Sequence, residues 1–286
     1  MATKPDPIAL RKRIGTELKR HRYLAKRSAH EAAEELGCSR GKISQMEIGF
    51  YRLHFRDVRD LLLFYGAPPE EVERLVGMAK DSALPSWWEP YAEVVEDWFA
   101  FFLGSEGEAI REFNYEQQVI PGLLQTPEYA EAVTEASNTV RMRDRQKVVD
   151  LRLARQRRLH EDEPLALTAV VEETALRRPI GSPAVRRAQL EHLLIMGELP
   201  NVGVQVILTE VGAHSGMAAN NFIVLEFADY NPGVYLEHPP VVGARYDVEA
   251  PELASTYMMI AKELQTKALD EHRSAEFIRK LIAQLK

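Results

Sequence analysis

The sequence predicts an N-terminal all-α domain that contains a helix-turn-helix, followed by a larger α+β domain with a mixed sheet. Two observations lead to this fold class. Apolar residues recur at helical spacing through about the first 80 residues. Beyond Pro164, several runs of four to nine residues are rich in β-branched and aromatic side chains, as strands are. Helical patterns are interleaved with these runs and follow them, which is typical of α+β domains.

Basic residues are concentrated near the N-terminus. Residues 1–60 contain 14 Lys and Arg against 8 Asp and Glu, whereas the remaining residues contain 22 against 35. A basic module joined to an acidic body is typical of a phosphate-contacting domain attached to a second function, although basic surface helices are also common.

Changes in composition along the 286 residues predict three regions. Residues 1–82 form a helix-turn-helix domain that binds DNA. Residues 83–162 form a helical connecting region used in dimerisation or interaction. Residues 163–286 form an α+β domain that acts as a sensor or binds a partner.

The single cysteine and the hydropathy pattern indicate the cellular compartment. Cys38 has no second cysteine to pair with, so an intrachain disulfide and a Cys-rich zinc site are excluded. The chain has no run of the ~20 apolar residues that a membrane helix needs, and its N-terminus lacks the apolar core of a signal peptide. We therefore expect a cytoplasmic protein with no membrane association.

Residues 28–49 carry the pattern of two short helices joined by a tight turn. Ser28 is placed to cap the first helix, with Glu31 three residues on as its reciprocal partner. Gly37 supplies the left-handed residue that ends a helix and turns the chain, and Ser39 is placed to cap the second helix. The second helix then divides into an apolar face and a polar face. This is the pattern of a helix-turn-helix whose recognition helix begins at Ser39.

The candidate DNA contacts lie on or beside this second helix and at the first cap; they are Ser28, Ser39, Arg40, Gly41, Lys42, Ser44, Gln45 and Arg52. Arg40 suits a bidentate contact with guanine, and Gln45 suits adenine or a phosphate. Gly41 has no side chain to read a base, so part of the specificity is expected from DNA shape. Because one recognition helix reads few base pairs, we expect a homodimer on half-sites ~34 Å apart. The alternative is an ordinary bundle with a solvated polar face.

The first helix of this domain is predicted from Leu10, Ile14 and Leu18, which recur every four residues. Its other faces carry the cations Arg11, Lys12, Arg13, Lys19, Arg20 and Arg22. These cations suit contacts with the DNA backbone, and equally an ordinary solvated face. Apolar stripes beyond Gly49 predict two further helices, which complete a five-helix unit.

The helix-turn-helix segment resembles the phage-repressor or xenobiotic-response-element class of domains. The resemblance is carried by the small residues Ala32 and Ala33, by the turn Gly37 and its neighbour Ser39, and by an Ile-Ser-x-x-Glu-x-Gly run over residues 43–49. Members of that class often have Gln directly after the first cap, where it contacts a phosphate. Ala29 occupies that position here, so backbone anchoring has to come from elsewhere.

The middle of the chain is first aromatic and then basic. All three tryptophans lie within residues 87–98, and their spacing favours packing between domains or between chains over a ligand cage.

The pattern after this aromatic segment predicts a helix over 105–118, a Pro-Gly turn at 121–122 followed by a helix capped by Thr126, and a long basic helix over 139–159. The basic helix suits a second nucleic-acid contact, an anion site or an acidic partner, as well as a solvated face.

The C-terminal part of the chain alternates between strand and helix patterns. Strands are predicted at 165–173, 202–210, 222–228 and 233–238, a helix at 182–199, and two amphipathic helices after residue 250.

A second resemblance covers nearly the whole chain. Its parts are Trp87 and Trp88, the segment 116–130 with its VIPGLLQTPEYA run, and the segments 155–159, 172–178 and 189–194. In this order they are similar to a family of bacterial antitoxin-like transcriptional regulators, which join such a helix-turn-helix to a C-terminal domain of unknown biochemical function. The resemblance implies a sequence-specific DNA-binding regulator, often accompanied by a small acidic partner protein. The alternative that it leaves open is an antitoxin-like interaction protein whose DNA binding is mainly autoregulatory.

The sequence contains no pattern that predicts an enzyme. The HEAAE run at residue 30 lacks the second histidine of a zinc pair, and GAHSG at 212–216 has His214 where a nucleophile would stand. We therefore expect no catalytic residue, no metal site and no cofactor. Glu173, Arg177 and Glu237 are candidates for a small-molecule or peptide site, although Glu173 and Arg177 are also spaced for a local ion pair.

Overall fold

The computed structural model describes residues 6–49, 53–228, 231–236, 245–247 and 251–285. Within these ranges the chain forms two compact units. One is helical and comprises the residues up to Pro90 together with Leu103–Glu108. The other is an α+β unit made of Tyr91–Phe102 and the residues from Ala109 onward. The predicted division into residues 1–82, 83–162 and 163–286 stays a prediction.

The helical unit begins with five helices, as the sequence predicts. They are α1 (Pro7–Leu24), α2 (Ala29–Glu35), α3 (Arg40–Ile48), α4 (Phe55–Phe64) and α5 (Pro69–Asp81). The apolar stripe of each helix enters one core, in which Ile14, Leu18, Ile43, Leu62 and Leu75 are completely buried. Helical periodicity alone therefore located these elements.

Local sequence explains where the helices of the motif begin and turn. The hydroxyl of Ser28 accepts from the Glu31 amide at 3.1 Å, and the Glu31 carboxylate accepts from the Ser28 amide at 2.8 Å, so the predicted capping box is present. Ser39 caps α3 with its hydroxyl. Gly37 and Gly49 follow α2 and α3 with φ values of 60° and 78°, a conformation that favours glycine.

The α+β unit is organised around one mixed sheet. Its strands are β1 (Arg111–Glu116), β2 (Ala166–Glu172), β3 (Val202–Ile207), β4 (Phe222–Glu226), β5 (Gly233–Leu236) and β6 (Arg245–Asp247), in the spatial order β3-β2-β1-β4-β5-β6. The pairs β3–β2 and β2–β1 are parallel, and the pairs β1–β4, β4–β5 and β5–β6 are antiparallel. The predicted all-α domain followed by an α+β domain with a mixed sheet is confirmed.

Eight further α-helices follow α5 within the described residues. They are α6 (Asp97–Glu108), α7 (Pro127–Ala136), α8 (Arg145–Arg155), α9 (Glu173–Arg177), α10 (Pro183–Met196), α11 (Gly216–Ala219), α12 (Pro251–Lys267) and α13 (Glu271–Gln284). The first of them, α6, belongs to the α+β unit up to Phe102 and to the helical unit from Leu103. Tyr115, Val170, Phe222 and Leu264 are among the buried side chains where α12 covers one sheet face. Among the described residues, no helix combines the length and apolar character needed to cross a membrane.

The predicted helix over residues 105–118 is wrong. Helix α6 ends at Glu108, and Arg111–Glu116 is a strand in the interior of the sheet. Strands that are covered on both faces do not show a simple alternation of polar and apolar residues. Here Tyr115 enters the apolar core, whereas Glu112 and Asn114 point to the other face and are also buried. These buried polar residues concealed the strand.

The predicted basic helix is shorter than the sequence pattern. Only Arg145–Arg155 is α-helical, and 3₁₀ turns at Met142–Asp144 and Gln156–Leu159 flank it.

Candidate nucleic-acid interface

Helix α3 has one buried and one exposed face. Ile43 and Met46 are at most 1% exposed and belong to the core of the helical unit. Arg40, Gly41, Ser44 and Gln45 are all exposed, and Ile48 beside them is 49% exposed. The predicted polar face is therefore open in this chain, whereas contact of these residues with DNA stays a prediction.

Three other candidate residues make local contacts. Lys42 forms a 2.7 Å ion pair with Asp57 of α4, which fixes α3 against the next helix. The hydroxyls of Ser28 and Ser39 accept the backbone hydrogen bonds that begin α2 and α3. The candidate Arg52 lies outside the described residues.

Arg22 and Glu47 form a buried ion pair between α1 and α3. Arg22 donates from Nε and Nη2 to the two carboxylate oxygens at 2.6 and 2.8 Å, and from Nη1 to the Arg27 carbonyl at 3.1 Å. The hydrogen bonds to Glu47 raise the pKa of Arg22 further above its ordinary value. Arg22 is therefore a support of the recognition helix, and its prediction as a phosphate contact is wrong. Its neighbours in the sequence, His21 and Tyr23, do not indicate this burial.

A close helix crossing also positions α3. A Cβ at Gly15 would lie 2.5 Å from the Met46 carbonyl oxygen and 2.7 Å from that of Glu47, closer than real Cβ atoms come. Only glycine at this position lets α1 approach the backbone of α3 so closely. The role of Gly15 could not be predicted from the sequence, because a glycine inside a helical pattern carries no specific signal.

Several other cations of α1 are engaged within the helical unit. Arg11 donates to the Ser82 carbonyl at 3.1 Å, and Arg13 pairs with Glu108 at 3.1 Å. Arg20 pairs with Glu17 at 2.7 Å. These arginines tie helices together in the structure described here, so the exposed polar face of α3 is the stronger candidate for contact with DNA.

The start of α2 already holds an anionic group. The Glu31 carboxylate accepts from the Ser28 amide and hydroxyl, and it pairs with Arg27 at 3.0 Å. The Ser28 amide, then the Ser28 hydroxyl and Arg27, lower the pKa of Glu31 to about 2. A carboxylate therefore occupies the place where a phosphate would meet the helix terminus.

Glu17, His21 and Glu71 are the group among the described residues whose side chains come close enough to hold a metal ion, with ligand atoms within 4.8 Å of one another. Arg20 lies among them and bonds to Glu17 at 2.7 Å and to Glu71 at 3.4 Å. Burial, followed by the charge of Arg20, lowers the pKa of His21. The guanidinium thus already supplies the positive charge that two carboxylates need.

Two candidate residues of the α+β unit, Glu173 and Arg177, contact each other directly. Arg177 pairs with Glu173 at 2.6 Å, and Glu173 also accepts from the Thr209 amide at 3.0 Å. Burial raises the pKa of Glu173, but the hydrogen bonds from Thr209 and Arg177 outweigh it and leave the pKa below its ordinary value. The local ion pair that the spacing allowed is thus present. Glu237 lies outside the described residues.

The α+β unit contains a cleft of about 600 Å³ that the sequence analysis did not find. One wall is the loop that carries the PGLLQTPEYA run, and helices α6 and α8 contribute other walls. Three glutamines hold this loop by its backbone. Gln125 donates to the Ile120 carbonyl at 2.6 Å, Gln156 donates to the Gln125 carbonyl at 2.7 Å, and Gln189 donates to the Leu124 carbonyl at 2.7 Å.

Comparisons with known proteins match two parts of the chain. Residues 13–75 match the model of a helix-turn-helix domain, and residues 99–280 match the model of a domain of unknown function, DUF5753. The first match covers α2, α3 and their surroundings, and the second covers the sheet and the cleft. Neither a curated protein nor a solved structure matches the chain.

Proposed function

The chain belongs to the DUF5753 family and carries an N-terminal helix-turn-helix domain, and on this basis we propose that it is a sequence-specific DNA-binding transcriptional regulator. It acts in the cytoplasm as a homodimer, without a catalytic step or a cofactor, and its α+β unit binds an effector or a partner. The more specific kinship with bacterial antitoxin-like regulators of the xenobiotic-response-element class is part of this proposal.

The observation that carries the proposal is the division of α3 into two faces. Its apolar face is needed for the core, so the helix cannot turn its polar face inward without exposing Ile43 and Met46. The outward face offers a guanidinium at Arg40 and a carboxamide at Gln45, the side chains best suited to read guanine and adenine in the major groove. Between them Gly41 leaves space for a close approach of the DNA backbone, because a Cβ there would meet only the Ser39 hydroxyl, at 3.8 Å.

The test is selection of bound duplexes from a random pool by the full chain, followed by titration of the enriched site. We expect a palindromic site with half-sites about one helical turn apart. Arg40→Ala should weaken binding by about 1–3 kcal/mol and relax the preference at one base pair. Arg74→Ala removes an exposed cation of α5 that pairs with Glu71, and it serves as the matched control. Failure to enrich any sequence, or an unchanged preference after Arg40→Ala, would contradict the proposal.

A second candidate function is favoured by the segment before α8. Met142 is 80% exposed and stands between Arg141 and Arg143, which are exposed as well. An apolar side chain between two arginines suits an interface with an acidic protein. In this alternative the chain is an antitoxin-like protein that binds a small acidic partner and uses DNA binding mainly for autoregulation.

The two candidate functions differ in whether the chain binds a small acidic protein. If the alternative holds, a small acidic protein co-purifies with the full chain, and its release rises with salt because the contact is between exposed charges. Replacement of Arg141 and Arg143 by Ser should release it, whereas replacement of Arg273 on α13, another exposed arginine, should not. A complex insensitive to salt and to the double replacement would rule out this interface.

A further inference from the structure

The cleft of the α+β unit lies on the sheet face opposite the core around Tyr115. Asn114, Ile223 and Tyr235 are directly paired across β1, β4 and β5, so they form one row along this face. Phe99 and Phe102 of α6 line the cleft together with this row. The volume of about 600 Å³ lies within the range of sites that hold small molecules.

Aromatic side chains form one part of the lining. Phe99 and Phe102 stack with their ring planes 15° apart, and the Phe102 ring lies 4.4 Å from that of Tyr235. The Arg155 guanidinium lies over both phenylalanine rings, at 5.8 and 5.2 Å. Such a surface favours a flat aromatic ligand, because planar rings and guanidinium groups stack with one another.

Carboxamides form the other part of the lining; they belong to Asn114, Gln117, Gln118, Gln125, Asn220 and Asn221. Several of them form hydrogen bonds within the protein. Gln125 bonds to Ile120 and accepts from Arg152 at 2.7 Å, and Gln117 donates to the Gly216 carbonyl at 3.0 Å. A lining with both donors and acceptors suits a ligand with several polar edge atoms.

Asn114 differs from these carboxamides because one of its buried atoms has no hydrogen-bond partner among the described residues. The residue is 2% exposed and its Nδ2 donates to Glu112 at 3.2 Å, whereas its Oδ1 accepts no hydrogen bond from the described part of the chain. The Nδ2 contact fixes which end of the amide is the oxygen. A buried amide oxygen without a donor is costly, and such groups in native structures call for an explanation. An N–H group of a bound ligand would supply the missing donor.

We propose that this cleft binds a planar aromatic heterocycle that offers an N–H donor to Asn114 and stacks against the half-buried ring of Phe99, which the buried rings of Phe102 and Tyr235 support. The ligand is neutral or singly anionic, because Arg152 and Arg155 outnumber Glu116 among the charged residues of the lining. Purine nucleosides and indole compounds both have this chemistry. The inference specifies the chemical class of the effector in the proposed function. It rests on that function only in treating the bound ligand as a regulator.

The test is calorimetric titration of the full chain, without DNA, with adenosine, guanosine, L-tryptophan and indole-3-acetate. We expect saturable binding of at least one probe with a Kd below about 1 mM. The probes that bind identify the source as purine or indole. An analogue of the bound probe that is methylated at the donor nitrogen until no N–H remains there should bind at least about tenfold more weakly.

Two variants test the position of the ligand. Asn114→Leu removes the acceptor and should weaken binding about tenfold or more, and Val133→Trp should block the cleft from its half-buried position in the lining. Glu128→Trp places the same ring on an exposed position of the same helix and should leave binding unchanged. Val133→Trp keeps the test valid if Asn114→Leu fails to fold. Absence of saturable binding for all four probes, or binding that both cleft variants leave intact, would overturn the inference. Because no DNA is present, neither result bears on DNA recognition.

Discussion

Arg22 of α1 and Glu47 of α3 meet through two hydrogen bonds of 2.6 and 2.8 Å, and the two side chains are 9% and 7% exposed. The recognition helix is thus held on its buried side by an ion pair that is largely shielded from solvent. A buried pair is costly to break on one side only, because the remaining charge keeps its desolvation cost and loses its partner. The pair therefore determines the position of α3 more than any exposed ion pair of the unit.

We expect Glu47→Gln to destabilise the helical unit by about 3–5 kcal/mol, because the Arg22 guanidinium would be left buried without a counter-charge. Hydrogen exchange of the amides in α1 and α3 measures this loss. Arg74→Ala, which breaks an exposed pair with Glu71, should cost at most about 1 kcal/mol. Joint replacement of Arg22 by Met and Glu47 by Leu should recover much of the stability. A loss below about 1 kcal/mol for Glu47→Gln would contradict this account.

The close crossing of α1 and α3 makes Gly15→Ala strongly destabilising. The added Cβ would be held 2.5 Å from a backbone oxygen, and backbone cannot move aside as a flexible side chain does. We expect a loss of at least about 2 kcal/mol in denaturant unfolding. Gly77→Ala in α5 is the matched control. A Cβ there meets nothing within 4 Å, so this substitution should raise the free energy of unfolding by about 0.5–1 kcal/mol through helix propensity. Equal effects of the two substitutions would show that the crossing is looser than described.

Gly41→Ala separates stability from DNA binding. The position is exposed and has room for a methyl group, so the variant should be as stable as the parent or up to about 1 kcal/mol more stable. If α3 lies against a duplex, the same methyl group stands between the helix and the groove and should weaken binding. Unfolding and DNA titration of one preparation give both values. Unchanged affinity for the selected site would indicate that Gly41 does not face DNA.

The capping box predicts a pH dependence in acid. The folded-state pKa of Glu31 is lowered to about 2 from its ordinary value of 4.5, mainly by the Ser28 amide. A lowered carboxyl pKa means that its stabilising effect is complete above pH 4.5 and is lost as the pH falls through about 2. The carboxyl carbon of Glu31, followed by NMR, should titrate near pH 2, and Glu31→Gln should flatten the stability profile in this window. A midpoint of the Glu31 titration near pH 4.5 would mean that the capping box does not form.

The sequence was most informative where signals are local. The capping box of Ser28 and Glu31, the cap at Ser39 and the left-handed Gly37 all depend on residues at most a few positions apart, and each was found as predicted. The apolar stripes of the five N-terminal helices are equally local, because helical spacing alone defines which residues enter the core.

Relationships between distant residues could not be predicted in this way. The burial of Arg22 depends on Glu47, which comes from another helix, and the requirement for glycine at position 15 depends on the backbone of α3. Strand β1 does not show a strand pattern because its buried residue Asn114 faces a cleft whose other walls come from elsewhere in the chain. For the same reason the cleft itself was missed, whereas Glu173 and Arg177 attracted attention through their spacing and proved to be a local pair.

The place of β1 in the sheet has a consequence for biosynthesis. Its two neighbours come from residues 166–172 and 222–226, so β1 cannot pair while the ribosome has released only the first half of the chain. The five N-terminal helices depend on near neighbours and can assemble long before that point. A nascent chain therefore acquires its outward-facing recognition helix before the sheet forms, and a transcript cut short after α5 would still yield that surface without the α+β unit.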